Sequence, residues 1–468
     1  MTSPLRSKVT RRTLVAGSGL AIAAGLATSA TRPAIAGPSG AARRSFPMLQ
    51  GGLSGTITVG YADELGAKPK YVEQAKAAVE EANPDATVEI DLRQVAGGDY
   101  TTQLLLALDS GEGPDVIHIG GDRIGALADA GYIEPLDAYV AEWADWESQY
   151  PEAVKGGVTY GDSVWAIPYG LDTRFLYFRR DIFEQVGLGR DWEPANIAGI
   201  LEAATAIKDA GLEDVLPYAL YAGTAGEGGT TAHGFAPVLF GYGGAMQDEA
   251  GKWIGASPAI DKALAYYERA WQTAEVVPAE ILTTAQPWKP MREGMGSGRV
   301  ALLFEGGWVY GGYQTAAAAG DIELDNIGYL LFPTEDGGPS LTIGGPGTVW
   351  YINAASQNKD LAWEFIKAFN TPEITAALNL EDPHPVARTD AAALPDFQAN
   401  AYLVAATESL ESAVFLPNDA RLNDVGGVVQ SVTGAVAAGD ATAAEASADF
   451  LEAMQRELGE ENVVSVTA

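Results

Sequence analysis

Cysteine is absent from this 468-residue chain, and histidine occurs only three times. Without cysteine the chain can form no disulfide, no thiolate metal site, no cysteine nucleophile and no lipid anchor on an N-terminal cysteine. The histidines, His118, His233 and His384, lie far apart in sequence, and none belongs to an HExxH pattern. We therefore expect neither a metal site nor a cofactor, and we expect His118, inside an apolar segment, to be a packed residue with a hydrogen-bond partner.

Basic residues are also scarce. The chain has 29 lysines and arginines against 62 acidic residues, which gives a formal net charge of −33. Such a surface repels phosphate backbones and anionic lipid, so nucleic acid is not an expected partner. A salty or harsh habitat would be a sufficient cause, and the acidic surplus need not indicate a cationic ligand.

Sequence motifs for common enzyme classes are missing. The glycine-rich loops at 223–229 and 241–245 lack GxxxxGK, and the chain has no GxSxG nucleophile motif. Two carboxylates flanking a sugar could serve a glycosidase at a separation of roughly 5–10 Å, but no pattern fixes such a separation. We therefore expect no enzyme activity, with a secreted carbohydrate-active enzyme as the alternative.

The N-terminus has the pattern of an export signal. Four basic residues up to Arg12 precede an uncharged run from Thr13 to Thr31, and Ala34-Ile35-Ala36 fits a small-x-small cleavage site. The pair Arg11-Arg12 resembles the twin-arginine motif. We predict a signal peptide over 1–36, a flexible leader over 37–53 and an exported protein in the periplasm or at the extracellular face of the membrane. A retained transmembrane helix is the alternative.

Hydrophobic periodicity predicts an α/β fold. Residues 57–61 and 88–92 alternate as strands, a helical stripe lies between them, and 116–119 form a short apolar run typical of a buried parallel strand. This alternation predicts βαβ units and mostly parallel sheets flanked by helices. Further along, 191–208 and 442–458 are predicted helices and 300–304 a predicted strand.

Three polar clusters each follow an apolar strand or lie where the chain is expected to cross between lobes: Asp122-Arg123, Asp172–Arg174 and Glu305–Tyr310. Ligands of open α/β sheets bind at the carboxyl ends of strands, so these clusters are candidates for one pocket. Carboxylates and arginine pair with hydroxyls, and an aromatic face covers the apolar side of a sugar ring. The chemistry therefore favours a neutral, hydroxylated ligand.

Each candidate also has a structural interpretation. Asp122 could cap the helix that follows it, Asp172 could only pair with Arg174, Trp308 could fill the core, and Tyr169 could be a packing residue.

Five segments resemble, in order, the extracellular solute-binding proteins of ABC importers, and most of all the maltose-binding group: 113–125, 165–168, 175–182, 306–308 and 352–365. The resemblance implies a two-lobe periplasmic-binding-protein fold of type II, with sugar bound in a cleft between lobes joined by hinge crossings. It implies a monomer that delivers its ligand to the membrane subunits of a permease. The implied lobes are 54–168 with 346–382, and 173–343 with 390–468.

In that group the aspartate and arginine of the 113–125 segment bind sugar hydroxyls, which points to Asp122 and Arg123. Asp172, Trp308 and Tyr310 correspond to other ligand contacts, and the group's polar residues after the first strand correspond to Asp63 and Glu64. Together with the residues chosen from the pattern alone, the predicted ligand-binding set is Asp63, Glu64, Asp122, Arg123, Tyr169, Asp172, Arg174, Glu305, Trp308, Tyr310, Gly345 and Arg388.

Two departures from the group affect the expected ligand. Ile119 stands where the group has a tryptophan, and Gly426 lies close to the place of a second stacking tryptophan. Fewer stacking platforms disfavour maltodextrins and favour a different mono- or oligosaccharide. Glycerol-3-phosphate or another polar solute is the alternative, because Arg123, Arg174 and Arg388 could take an anion.

Overall fold

The structure, a computed structural model, describes residues 52–63, 66–93 and 97–467. The predicted signal peptide, most of the leader and Glu64 lie outside these residues. Within the described part of the chain, no helix is long and apolar enough to cross a membrane.

Fourteen strands occur in the described residues. In chain order they are β1 Ser54–Ala62, β2 Asp85–Arg93, β3 Val116–Gly120, β4 Thr159–Tyr160, β5 Ser163–Val164, β6 Ile167–Pro168, β7 Arg174–Arg179, β8 Trp253–Ala256, β9 Leu302–Gly306, β10 Ile327–Leu330, β11 Thr342–Gly344, β12 Thr348–Ile352, β13 Ala413–Phe415 and β14 Val463–Ser465.

The α-helices of the same residues are α1 Pro69–Ala82, α2 Gly97–Ser110, α3 Ile124–Asp129, α4 Asp137–Val140, α5 Ala144–Gln149, α6 Glu152–Gly157, α7 Arg180–Gln185, α8 Ala198–Asp209, α9 Glu227–Gly229, α10 Ala236–Gly241, α11 Pro258–Glu268, α12 Trp288–Ser297, α13 Val309–Ala319, α14 Lys359–Phe369, α15 Pro372–Glu381, α16 Thr389–Ala392, α17 Pro395–Gln398, α18 Ala401–Glu408, α19 Leu422–Ala438 and α20 Ala443–Leu458.

The N-terminal lobe is built on a five-stranded sheet of order β2-β1-β3-β12-β6. The first three strands are parallel, and β12 runs antiparallel to both of its neighbours. Residues 116–119 of the central β3 are all buried, as an apolar run covered on both faces requires. The carboxyl end of β3 is thereby fixed at the edge of the sheet that faces the other lobe.

The C-terminal lobe combines parallel and antiparallel pairing. Its two-stranded sheets, β8-β14 and β11-β13, are parallel. Its three-stranded sheet, β10-β7-β9, is antiparallel and gains parallel neighbours only through single bridges at Leu216 and Ala219. Parallel pairing requires a crossover between strands, whereas β7 enters this lobe directly from the first crossing and pairs with strands that return to it. The two-lobe α/β architecture itself is confirmed.

Two separate hydrophobic cores define the lobes. One lies within 57–171, 349–369 and a few later residues, and the other takes its members from 175–343 and from 376–463. Three segments cross between them, and hydrogen bonds join these crossings side by side. Leu171 N donates to Pro385 O at 2.7 Å, and Asp172 N donates to Gly345 O at 3.0 Å.

Element ends shift by a few residues from the predicted ones. The helix expected from 191 begins at Ala198, and the strand expected over 300–304 spans Leu302–Gly306. The last long helix starts at Ala443, because Thr442 forms a capping box with Glu445.

Candidate functional site

A cleft of about 680 Å³ lies between the lobes. Six predicted site residues line it: Asp122, Arg123, Asp172, Arg174, Trp308 and Gly345. The carboxyl ends of β3 and β9 and the first two crossings bring these residues together. The volume lies within the range of about 300–1,000 Å³ that is typical of small-molecule sites.

The first wall is the tip that follows β3. Gly121–Arg123 forms one turn of 3₁₀ helix, and the amide of Gly121 donates to the carbonyl of Gly347 at 2.8 Å, which ties the tip to a crossing. The Arg123 guanidinium makes no hydrogen bond or ion pair with any described residue. Its donors are therefore available to a ligand.

Asp122 is exposed to the cleft, yet protein surrounds its carboxylate on the other sides. This desolvation raises the pKa of Asp122, the negative charge of Asp172 adds to the rise, and the positive charge of Arg123 opposes it. Two carboxylates that face one cleft repel each other, and a hydroxyl donor placed between them would relieve that repulsion.

The first crossing supplies the floor. Arg174 is buried, and its Nη1 donates to Ile343 O at 2.9 Å while its Nη2 lies 3.5 Å from Asp172 Oδ2. The predicted Asp172–Arg174 pair is therefore present, and it also holds Asp172 at the cleft surface.

Behind this floor lies a buried polar network centred on Glu305. Its carboxylate lies 2.6 Å from His233 Nδ1 and 3.0 Å from Arg292 Nε, and it also accepts from Tyr221 and from the amide of Gly306. Burial alone would raise the pKa of Glu305, but the positive charge of Arg292 and the bond from His233 hold it well below its usual range. Glu305 is therefore ionised.

The same network fixes the tautomer of His233. Burial lowers the pKa of His233, so the ring is neutral at pH 7. We assign its proton to Nδ1, because an unprotonated nitrogen 2.6 Å from the Glu305 carboxylate would be repelled by it. Nε2 is then an acceptor, and it faces Arg174 Nε at 3.5 Å. The orientation of Arg174 at the cleft thus depends on a carboxylate that does not reach the cleft.

Trp308 lines the cleft from the C-terminal lobe. Its indole lies over Gly306, where an added Cβ would come within 2.3 Å of the ring, so a side chain at Gly306 would displace it. His384, from the third crossing, stacks on the ring at 5.7 Å between centroids, and the guanidinium of Arg174 lies 5.4 Å from the ring centroid. These neighbours restrain the indole at the wall of the cleft.

A second buried charge pair supports the first wall. Lys68 Nζ donates to Asp382 Oδ2 at 3.0 Å and lies 3.8 Å from Asp63 Oδ1. Burial would lower the pKa of Lys68, but Tyr169 and Asp382 raise it, so the lysine stays charged. Asp63 thus contributes to the cleft through Lys68, which lines it.

Besides Asp63, four of the described predicted residues do not line the cleft. Tyr169 is buried and its hydroxyl lies 3.2 Å from His118 Nε2, which gives His118 its expected partner, and Glu305 lies behind His233. Tyr310 stacks on Tyr402 at 4.0 Å inside the lobe, because the helix starting at Val309 turns it away from Trp308. Arg388 is buried between Asp145 and Asp390.

Several residues of the cleft were missed by sequence reasoning: Lys68, Glu227, Thr231, His233, Asp382 and His384. Most lie outside strand ends and follow no motif. Thr231 is buried, and its hydroxyl has no hydrogen-bond partner in the described structure. A buried polar atom of this kind is one that a ligand can satisfy.

The lobes also touch at the rim of the cleft. Asn418 Nδ2 donates to Gly157 O at 2.6 Å across the lobes, and a Cβ added to Gly125 would lie 2.7 Å from the backbone nitrogen of Ala420. Only glycine at position 125 permits this approach of the two backbones.

In the residues that the structure describes, no group of three or more His, Asp and Glu side chains is arranged to hold a metal ion. The cleft offers hydrogen-bond donors, acceptors and one indole, which is chemistry for binding.

Comparison with known proteins identifies the family. The family model for bacterial extracellular solute-binding proteins matches residues 62–376. The chain belongs to this family. This is the family that the five ordered sequence segments predicted.

Two curated relatives of this solute-binding protein have named ligands. The maltotriose-binding protein of Pyrococcus abyssi (strain GE5 / Orsay) is 22% identical over 343 residues, which cover 71% of this chain and 67% of that protein. The maltodextrin-binding protein MdxE of Bacillus subtilis (strain 168) is 23% identical over 406 residues, covering 84% and 88%.

Solved structures share the fold. Maltose-bound MalE3 of T. maritima superposes with a TM-score of 0.72 at 20% identity, covering 86% of this chain and 100% of that one. A solute-binding protein of Thermotoga lettingae TMO, bound with α-D-tagatose, gives a TM-score of 0.73 at 23% identity, covering 87% and 100%. The two-lobe architecture is therefore that of known solute-binding proteins.

Proposed function

We propose that this solute-binding protein binds a carbohydrate in the cleft and delivers it, chemically unchanged, to the membrane subunits of an ABC importer. The observation that carries the proposal is the pairing of Asp122 and Arg123, whose polar atoms are available on one lobe, with the restrained indole of Trp308 on the other. Hydroxyls pair with carboxylate and guanidinium groups, and the indole covers apolar C–H groups.

The relatives support a carbohydrate ligand, since their names specify maltotriose and maltodextrin. Ile119, which stands in place of a tryptophan of the maltose-binding group, and Gly426, which lies close to the place of a second one, both line the cleft. Because the cleft has fewer aromatic side chains that can stack on sugar rings, we propose that the ligand is an oligosaccharide or monosaccharide other than a linear maltodextrin.

An anion such as glycerol-3-phosphate has less support. Arg388 is committed to two carboxylates away from the cleft, and Arg174 is bonded to Ile343 O and Asp172. Arg123 is then the one predicted anion-binding arginine with free donors, and Asp122 and Asp172 repel an anion beside it.

Closure of the lobes around the hinge crossings is the proposed mechanism. A ligand that contacts both lobes binds the closed arrangement better than an open one and shifts the population toward it. We propose the lobe boundaries 54–168 with 346–382 and 173–343 with 390–468, with residues 382–390 as the third crossing.

Calorimetry with a panel of sugars, polyols, glycerophosphates and amino acids tests the ligand class. We expect one carbohydrate to bind, and Trp308→Ala to weaken that binding by about 2–4 kcal/mol, the range of a buried aromatic anchor. Trp192→Ala is the control, because Trp192 is a half-buried tryptophan of the same lobe outside the cleft. Equal affinities of wild type and Trp308→Ala would remove Trp308 from the site, and recovery of a cleaved sugar would indicate an enzyme.

Export and monomeric state are further parts of the proposal. Mass spectrometry of the secreted protein should show a chain beginning at Gly37, and light scattering should give the mass of one chain. A secreted chain that retains residues 1–36 would indicate an uncleaved anchor instead.

A further inference from the structure

A second, smaller cavity opens beside the cleft in the C-terminal lobe. It has a volume of about 220 Å³ and is lined by Tyr221, Glu227, His233, Trp288, Arg292 and Glu305 together with two glycines. Glu227, Gly228 and His233 line both cavities, so the side pocket adjoins the cleft. At below about 300 Å³ it is too small for a drug-sized ligand and suits a single ring.

The side pocket presents polar atoms that make no hydrogen bond within the described protein. Arg292 uses Nε on Glu305, while its two Nη atoms make no hydrogen bond to any described residue. The indole nitrogen of the half-buried Trp288 and the carboxylate of Glu227 are likewise without partners in the described part of the chain. Donors, an acceptor and an aromatic face are thus combined as they are in the main cleft.

Glu227 is held in its position at a conformational cost. Its backbone has φ 48° and ψ −137°, a combination that glycine adopts easily and other residues rarely. Glycine occupies the neighbouring positions 226, 228 and 229, yet position 227 carries a glutamate. Gln430 Nε2 donates to the carbonyl of Glu227 at 2.9 Å and fixes the loop. Glu227 lines both cavities and so lies where they adjoin.

We propose that the side pocket binds one sugar unit of an oligosaccharide whose neighbouring unit lies in the main cleft against Trp308. Glu227 accepts hydroxyls at the junction, Arg292 donates to hydroxyls, and Trp288 covers the ring face. This inference rests on the proposed carbohydrate function and narrows it to ligands of at least two units.

Titration calorimetry with glucose, maltose and maltotriose, and with the corresponding cello- and isomalto-sugars, tests the proposal. In the wild type we expect one di- or trisaccharide to bind at least tenfold more tightly than its monosaccharide. In Trp288→Ala this ratio should fall below threefold, with the monosaccharide affinity unchanged. In Glu227→Gly the ratio should also fall below threefold. Trp192→Ala should keep the wild-type ratio.

Thermal unfolding separates these effects from loss of fold. Glu227→Gly should not lower the melting temperature, because glycine tolerates this backbone conformation. If both variants keep the wild-type ratio, or if the wild type binds the longer sugars no more tightly than the monosaccharide, the side pocket is not a sugar site. In that case, sugar binding that is weakened by Trp308→Ala would still support the proposed function. If no sugar of the three series binds, the proposed function fails and the side-pocket assignment fails with it.

Discussion

Replacing Glu305 by glutamine should destabilise the C-terminal lobe strongly, although the side chain keeps its shape. The carboxylate is fully buried and neutralises Arg292 at 3.0 Å. Glutamine retains an oxygen that can accept from His233 and from the amide of Gly306. What the substitution removes is the negative charge, and Arg292 is then left without its counter-ion.

The expected cost follows from this geometry. Removal of one partner of a buried ion pair typically costs about 3–5 kcal/mol. The side chain of Arg292 is 31% exposed, so water compensates part of its charge, and two hydrogen bonds survive in the amide. We therefore expect a loss of about 2–3 kcal/mol, below the full range.

Urea denaturation followed by fluorescence and circular dichroism measures this loss as a shift of the midpoint at constant slope. Glu335→Gln in the same lobe is the matched control, since its partner Lys262 lies at 2.6 Å on the surface, where both side chains are about half exposed. An exposed pair contributes about 0–1 kcal/mol. If Glu305→Gln costs no more than Glu335→Gln, the buried pair does not stabilise the lobe and the reasoning is refuted.

Two further predictions concern pH and lobe contact. Burial lowers the pKa of His118 well below its usual value of about 6.5, so the unfolded chain binds the proton first as pH falls. The stability due to neutral His118 is therefore lost below about pH 6.5. The stability advantage of wild type over His118→Gln should therefore shrink by up to about 2 kcal/mol between pH 7.5 and 5.0 in urea titrations; a constant advantage would contradict the shift. Gly125→Ala should push Ala420 away and weaken sugar binding about tenfold, which is about 1.4 kcal/mol. Gly156→Ala is the control, because a Cβ added there meets open space in the same lobe, and it should not change the affinity. Equal affinities of wild type and Gly125→Ala would show that the rim contact is absent from the bound state.

Sequence reasoning located the parts of the site that follow strand ends. Asp122-Arg123 and Trp308 lie in the cleft because each directly follows a buried apolar strand, and the alternation of strands and helices fixes the edge of the sheet at which such residues emerge. The same reasoning failed for Tyr310, two residues after Trp308. Tyr310 lies in a helix, where successive residues are rotated by about 100°, and its side chain is therefore directed into the lobe.

The sequence by itself determined the α/β class, the order of the elements and the absence of thiol chemistry, because these depend on composition and on local periodicity. The partners of Arg388, the tautomer of His233, the pair between Lys68 and Asp382 and the side pocket behind Glu227 were decided only by the tertiary structure. Each depends on groups brought together by the crossings and by packing between distant segments. Local propensity carries no information about such contacts, since a charged residue has the same sequence pattern whether it faces a ligand or a buried counter-ion.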